Sequence, residues 1–310
     1  MKKYILTSLL FFVLFFSFSQ SKKMCITVDD LPTVSYGIRD EAFQLEITQK
    51  IVESFAHYNI PAIGYVNEGK LYQAGKLNPS RVKLLELWLE SGLELGNHTY
   101  SHLNFHDVEF NAFTEDILKG ERIIKSLAAK YNSEIKYFRH PYLRIGSNQL
   151  QADSLSAFLF ENGYIEAPVT IDNEDYLFAK AYSRAYQKLD TVLMNKIGKE
   201  YVGYMEEKVL FFETQSSKLF DRNIYQTLLV HASLLNADYM DELIEMYQNH
   251  GYIFCSQSEI LTDPVYNQKV TYFGNWGISW LDRWALSQGK RGDFFKGDPV
   301  TPEFILEINK

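Results

Sequence analysis

Positive charge is in short supply in this chain. Thirty-one Lys and Arg stand against 39 Asp and Glu, a formal net charge of −8. Dropping residues 1–20, which carry Lys2 and Lys3 and no acid, lowers it by two, to −10. Nothing supplies the basic footprint that a phosphate backbone requires, so nucleic acid is not expected as a partner. Cysteine is scarce as well, with only Cys25 and Cys255. Long apolar runs are missing: the one at the start, Ile5 to Phe16, falls short of the ~20 residues that span a bilayer. There is no internal repeat and no low-complexity linker, and no obligate protein partner is evident. What the chain does have is 46% apolar residues over 310 positions, enough to bury a sizeable core.

The first twenty residues read as a secretory signal peptide. Met1-Lys2-Lys3 is a basic start, Ile5 to Phe16 a short apolar stretch, and Ser17-Phe18-Ser19-Gln20 a plausible cleavage region. Export to the periplasm or the medium is therefore expected, with no stable membrane span after cleavage. Lys22-Lys23-Met24 ahead of Cys25 does not resemble a lipoprotein processing site. An oxidising compartment raises the question of a disulfide. Cys25 opens the first expected strand and Cys255 closes the last, which in a parallel sheet are opposite ends, so two buried free thiols are expected.

From Met24 onward, strands and helices alternate. Met24 to Val28 is a short apolar run, followed by a helical pattern over 40–58 and a strand over Ile60 to Val66. Asn78-Pro79 places a cap residue before a proline at the first helical position. A strand stub leads into Asn97-His98, a helix is expected over 110–131, and Ile135 to Phe138 is the next strand. Further strands are read at Tyr164-Ile165, Pro168 to Ile171, Tyr225 to Val230 and Gly251 to Cys255, with two helices over 177–222. About seven such units predict an α/β fold with a parallel sheet closed, or nearly closed, into a barrel over residues 21–262. Residues 263–310 lose the pattern and hold three of the four tryptophans, Trp276, Trp280 and Trp284. Such a segment could offer a sugar-stacking platform; packing back over the barrel is the commoner use of these residues.

Each polar cluster follows an expected strand: Asp29-Asp30, His98 to His102, Arg139 to Tyr142, Asp172 to Asp175, and His231. Each has an ordinary reading alone. An Asp-Asp pair caps a helix or turn, Arg139 makes a surface ion pair, and His231 beside Leu228-Leu229-Val230 is a satisfied core histidine. Their coincidence is the signal, because parallel α/β folds place active sites at the carboxyl ends of their strands. His98 and His102, four apart, can turn both imidazoles to one point, although His102 and His106 share that spacing.

Taken in order, these clusters resemble the five motifs of the polysaccharide deacetylases of carbohydrate esterase family 4, whose domain is a distorted (β/α) barrel of the NodB-like type. Thr27-Val28-Asp29-Asp30 is similar to the first, His98-Thr99-Tyr100-Ser101-His102 to the second and Arg139-His140-Pro141-Tyr142 to the third. Asp172 to Tyr176 is similar to the fourth and Leu229-Val230-His231 to the fifth. The resemblance covers about residues 24–260 and implies a divalent metal, zinc foremost with cobalt, nickel or manganese as alternatives, held by Asp30, His98 and His102.

It further implies Asp29 as general base, Arg139 keeping Asp29 ionised, the Tyr142 backbone N–H at the oxyanion, and His231 as general acid tuned by Asp175. Tyr176, Leu229 and His140 would meet the substrate. Neighbouring residues of a regular strand face opposite ways, so the strand has to break for Asp29 and Asp30 to share one site. The implied activity is removal of acetyl groups from an N-acetylated glycan such as peptidoglycan or chitin-like material. A non-sugar amide or imide, an O-acetyl ester, or a non-catalytic carbohydrate-binding role are the alternatives. Three departures alter the groove wall: Leu31-Pro32 for Gly-Pro, Tyr176 for Trp, and Leu143-Arg144 for the Gly after the third motif.

Overall fold

The computed structural model describes residues 21–310; the signal-peptide reading of residues 1–20 lies outside them. Nine strands occur along the described chain: β1 (Lys22–Val34), β2 (Ile63–Val66), β3 (Tyr72–Gln73), β4 (Lys76–Leu77), β5 (Glu94–Asn97), β6 (Tyr137–Phe138), β7 (Ile165–Glu166), β8 (Gln226–Ser233) and β9 (Tyr252–Phe254). Seven form one sheet in the order β7-β6-β5-β2-β1-β8, with β9 alongside the start of β1, and every pairing in it is parallel. Beyond β7 the chain crosses to the far edge, where Ile171 N–H donates to Thr227 O (3.0 Å) and Leu229 N–H to Ile171 O (3.2 Å). The sheet thus curls into a half-barrel whose two edges are drawn together by one segment, as the alternating pattern predicts.

Met24 to Val28 is buried on both faces, the signature of a parallel strand covered by helices on one side and enclosed by the barrel on the other. The hairpin β3–β4 lies outside this sheet and was not anticipated from the sequence. The helices start where their caps dictate. Asp40 accepts from Phe43 N–H ahead of the helix Glu41–His57, and Asn78 accepts from Ser80 and Arg81 N–H ahead of Pro79–Glu90.

One expected helix is two. The span 110–131 divides into Phe110–Lys119 and Arg122–Lys130. At the break, a Cβ on Gly120 would stand 2.5 Å from the carbonyl carbon of Thr99, so only glycine lets the histidine loop sit there. The second helix regains its N-terminal partners from the buried Glu68, whose Oε2 accepts from Ile123 (2.8 Å) and Ile124 (3.1 Å) N–H.

The cysteines differ from expectation in placement. β9 pairs with the first residues of β1 in the register Met24↔Phe254, and Cys255 N–H donates to Met24 O at 2.9 Å. Both thiols therefore share one buried cluster instead of lying at opposite ends of the sheet, because β9 turns back beside the start of β1. Both are free, and burial raises Cys255 to about 11 and Cys25 further, which keeps them protonated and unreactive. No helix of the described residues is long and apolar enough to cross a membrane.

Candidate active site

The carboxyl ends of β1, β5, β6 and β8 supply the polar residues picked out in the sequence. In β1, the pairing with β2 jumps from Val28↔Gly64 to Leu31↔Val66, three residues on one strand against two on the other, and Asp30 has φ of 70°. This bulge undoes the alternation that would send adjacent side chains to opposite faces. Asp29 Oδ2 and Asp30 Oδ1 consequently lie 3.9 and 3.7 Å from the same atom, His98 Nε2.

After β5 the chain makes a tight loop, not a helical turn. Asn97 Oδ1 accepts from Thr99 N–H (2.7 Å), Thr99 Oγ1 from His102 N–H (3.0 Å) and Asp116 Oδ2 from Ser101 N–H (2.8 Å). Thr99 and His102 adopt φ of 65° and 55°. These bonds bring the two rings to 4.8 Å between centroids, with His102 Nε2 3.6 Å from Asp30 Oδ1. His98 Nδ1 lies 2.8 Å from Arg139 O, an acceptor only, so Nδ1 carries the proton and Nε2 presents its lone pair.

Asp30, His98 and His102 could hold a metal ion, with one donor atom from each lying within 4.8 Å of the others. Two donors ~2.1 Å from a tetrahedral zinc stand roughly 3.4 Å apart, close to the 3.6 and 3.7 Å separations found. Those separations are too long for hydrogen bonds, and Asp30 Oδ1 is buried without a hydrogen-bond partner among the described residues. Burial, helped by the neighbouring imidazole, holds His98 well below its ordinary value, and burial lowers His102 too, so both are neutral, as metal ligands must be. Burial would raise Asp30, but the charges of Lys70 and His231 outweigh it and keep the carboxylate ionised.

Asp29 is buried against a fully buried Arg139, whose Nη1 lies 3.3 Å from both carboxylate oxygens. The rest of the guanidinium is fixed by Ala167 O (2.8 Å) and Thr27 Oγ1 (3.1 Å), and it lies over the Tyr65 ring at 4.5 Å. Burial pushes Asp29 up to about 6, opposed by Arg139 and His231 and assisted by Asp30 and Asp175.

On β8, His231 Nδ1 lies 2.6 Å from Asp175 Oδ1. Asp175 is fully buried at the start of the helix Asp175–Gln187, and its Oδ2 accepts from His231 N–H (2.8 Å) and Asn236 Nδ2 (2.9 Å). Burial alone would lower His231; the charge and hydrogen bond of Asp175, with Asp30 and Asp29, raise it to about 9.

Tyr142 sits in a short 3-10 turn, Pro141–Leu143, with φ 56° and ψ 17°, and its ring packs 4.4 Å from that of His102. Among the described residues, no acceptor meets its N–H. Tyr176 is 46% exposed, its ring 6.5 Å from that of His231, whereas Leu229 is buried. His140 is buried with Nε2 2.7 Å from Glu166 Oε2 and its ring 6.0 Å from Trp280. His106 stands apart from the triad, its N–H donating to Asn104 Oδ1.

Two residues at the site escaped sequence reasoning. Lys70 Nζ lies 3.4 Å from Asp30 Oδ2 and donates to Asp30 O at 2.8 Å. Tyr36 Oη donates to Tyr176 O at 2.8 Å. Lys70 is on the 3-10 helix Glu68–Leu71 beyond β2 and Tyr36 on a turn after β1, with no motif to flag either. A cavity of about 770 Å³ lies elsewhere, between residues 145–168 and 261–280, and none of Asp29, Asp30, His98, His102 or His231 lines it. Charge and ligand geometry, rather than cavity size, locate the chemistry.

Residues 19–156 match the family model described as polysaccharide deacetylase. A peptidoglycan-N-acetylglucosamine deacetylase of Bacillus cereus is 27% identical over 164 residues, 53% of this chain and 51% of the relative, so the chain spans about half the length of the curated relative it matches. Among solved structures, the peptidoglycan deacetylase PdaC of Bacillus subtilis superposes with a TM-score of 0.50 at 18% identity, over 78% of this chain and 91% of that one. A peptidoglycan N-acetylglucosamine deacetylase in complex with 4-naphthalen-1-yl-N-oxidanyl-benzamide gives 0.51 at 18%, over 77% and 87%. A mutant of a carbohydrate esterase family 4 pseudoenzyme with restored enzymatic activity gives 0.52 at 16%, over 78% and 68%. At these identities the solved structures bear on the fold alone.

Proposed function

We propose that this chain, whose residues 19–156 match the polysaccharide deacetylase family model, hydrolyses the acetamide of an N-acetylated glycan, such as peptidoglycan or chitin-like material, after export. Asp30, His98 and His102 would hold a divalent cation, zinc foremost. When bound there, such an ion supplies Lewis-acid chemistry, polarising the acetyl carbonyl and making a water acidic.

The remaining steps belong to the chain's own side chains. Asp29, beside Arg139 and with a value of about 6, is ionised at neutral pH and takes a proton from the attacking water. The water oxygen bonds to the acetyl carbon, and the Tyr142 N–H donates to the oxygen that gains charge. His231, held protonated by Asp175 with a value of about 9, gives its proton to the nitrogen as the C–N bond breaks. Acetate and a free amine result. The base and the acid are thus pushed to opposite sides of neutrality by their surroundings, the arrangement that acid–base chemistry at pH 7 needs. Tyr176, exposed beside His231, offers a face to the sugar, with Leu229 and His140 as the other proposed substrate contacts.

The observation that carries the reading is the buried, partnerless Asp30 Oδ1 between two neutral imidazole nitrogens. The experiment is acetate release from a panel of N- and O-acetylated glycans, with and without chelator. Acetate that falls on chelation and returns with added zinc supports it; undiminished release under chelator rejects it. Glycan binding without acetate release at any metal would favour the non-catalytic alternative.

A further inference from the structure

The turn that carries the Tyr142 N–H is an improbable one for its sequence. Tyr142 and Leu143 both have left-handed φ, 56° and 53°, where a Cβ crowds the following carbonyl and glycine is the usual occupant. Leu143 stands where the motif it resembles has glycine. Two hydrogen bonds close the turn, Leu143 N–H to His140 O (3.0 Å) and Arg144 N–H to Pro141 O (3.1 Å). Such conformations persist where surrounding structure over-determines them.

That surrounding structure comes from the far end of the chain. Arg283, 1% exposed on the helix Trp280–Ser287, donates from Nη2 to Leu143 O at 2.6 Å. Gly277 lies against the preceding peptide so closely that a Cβ there would stand 1.6 Å from Tyr142 O. The segment is itself tied to the barrel by Trp280 N–H, which donates to Val169 O at 2.6 Å, and by the Trp280 ring beside His140.

We propose that the C-terminal segment is a working part of the active site, with Gly277 and Arg283 as positioning residues. They hold the Tyr142–Leu143 turn in the left-handed form that aims the Tyr142 N–H at the reacting carbonyl oxygen. The inference rests on the deacetylase reading, and it assigns the segment to transition-state stabilisation instead of glycan stacking.

Arg283→Lys tests it: the charge facing Asp172 and Asp282 is kept, while the rigid donor fork is lost. The expected result is a fall in kcat on the order of 10²-fold, the scale of losing one oxyanion donor. KM should stay within about 3-fold and zinc content should not change. Amide hydrogen exchange in the peptide covering residues 140–145 should quicken. Adding Leu143→Gly should restore most of the kcat, because glycine takes the left-handed conformation unaided. Gly277→Ala, which moves the Tyr142 peptide directly, should also lower kcat and serves if Arg283→Lys does not fold.

Faster exchange with unchanged kcat in either variant overturns the inference and leaves the deacetylase reading standing, as does a kcat loss that Leu143→Gly fails to repair. A wild-type protein that releases no acetate fails the deacetylase reading itself and takes this catalytic role with it.

Discussion

Replacing Asp175 by asparagine should move the alkaline limit of activity by more than two pH units. Asp175 is fully buried and accepts from His231 twice, from Nδ1 at 2.6 Å and from the backbone N–H at 2.8 Å. Asparagine has one accepting oxygen where the carboxylate has two, so it can accept at only one of these positions, and it removes the charge. Burial, which opposes the imidazolium, then prevails, and His231 falls from about 9 to its ordinary 6.5 or below. At pH 8 the protonated fraction drops from about nine-tenths to about one-thirtieth, so kcat should fall roughly 30-fold there while changing little at pH 6.

The same shift has a stability consequence. A histidine whose value is raised in the folded state contributes stability that is fully present below its unfolded value and is lost as pH rises through the folded one. The native protein should therefore lose on the order of 3 kcal/mol between pH 6.5 and 9 from this pair, a slope that Asp175→Asn should flatten. A cation at the triad neutralises the Asp30 contribution and lowers both limbs somewhat, so the difference between native and variant is the quantity to read. The assay is acetate release from pH 5.5 to 10 at saturating zinc. An alkaline limb left in place in Asp175→Asn, or one equally depressed at pH 6 and pH 9, would refute the acid assignment to His231.

Other substitutions separate the parts of the site. Asp29→Asn should abolish turnover while a metal assay finds zinc content unchanged, because Asp29 is paired with Arg139 and is not one of the three donors of the triad. His98→Ala removes a buried ligand, and plasma emission spectrometry should find less than about one-tenth equivalent of zinc after dialysis. Trp284→Ala, at a side chain 1% exposed whose Nε1 donates to Gln268 O, should cost about 3–5 kcal/mol in denaturant unfolding.

The parts of the site legible in the sequence were those written into one short stretch or one strand end. His98 and His102 announce themselves by spacing, and the need for a break after Asp29 follows from strand alternation before any bulge is seen. Arg139 and His231 became readable from their places after apolar runs. Lys70 and Tyr36 did not, since a single 3-10 turn and a short turn of no particular pattern bring them to Asp30 and Tyr176. The split of the helix at Gly120 was invisible for a related reason: the break answers to a contact with Thr99, twenty-one residues away in sequence. Cys25 and Cys255 were misplaced because the level at which β9 joins β1 is set by barrel closure, not by either strand's composition. The grip of Arg283 on Leu143 is longer in range still, at 140 residues' separation.

The most direct measurement is zinc-edge anomalous scattering from a crystal of residues 21–310 soaked in zinc. One peak about 2.0–2.2 Å from an Asp30 oxygen and from Nε2 of both His98 and His102 is the predicted result. Zinc bound elsewhere, with these three side chains left uncoordinated, would contradict it.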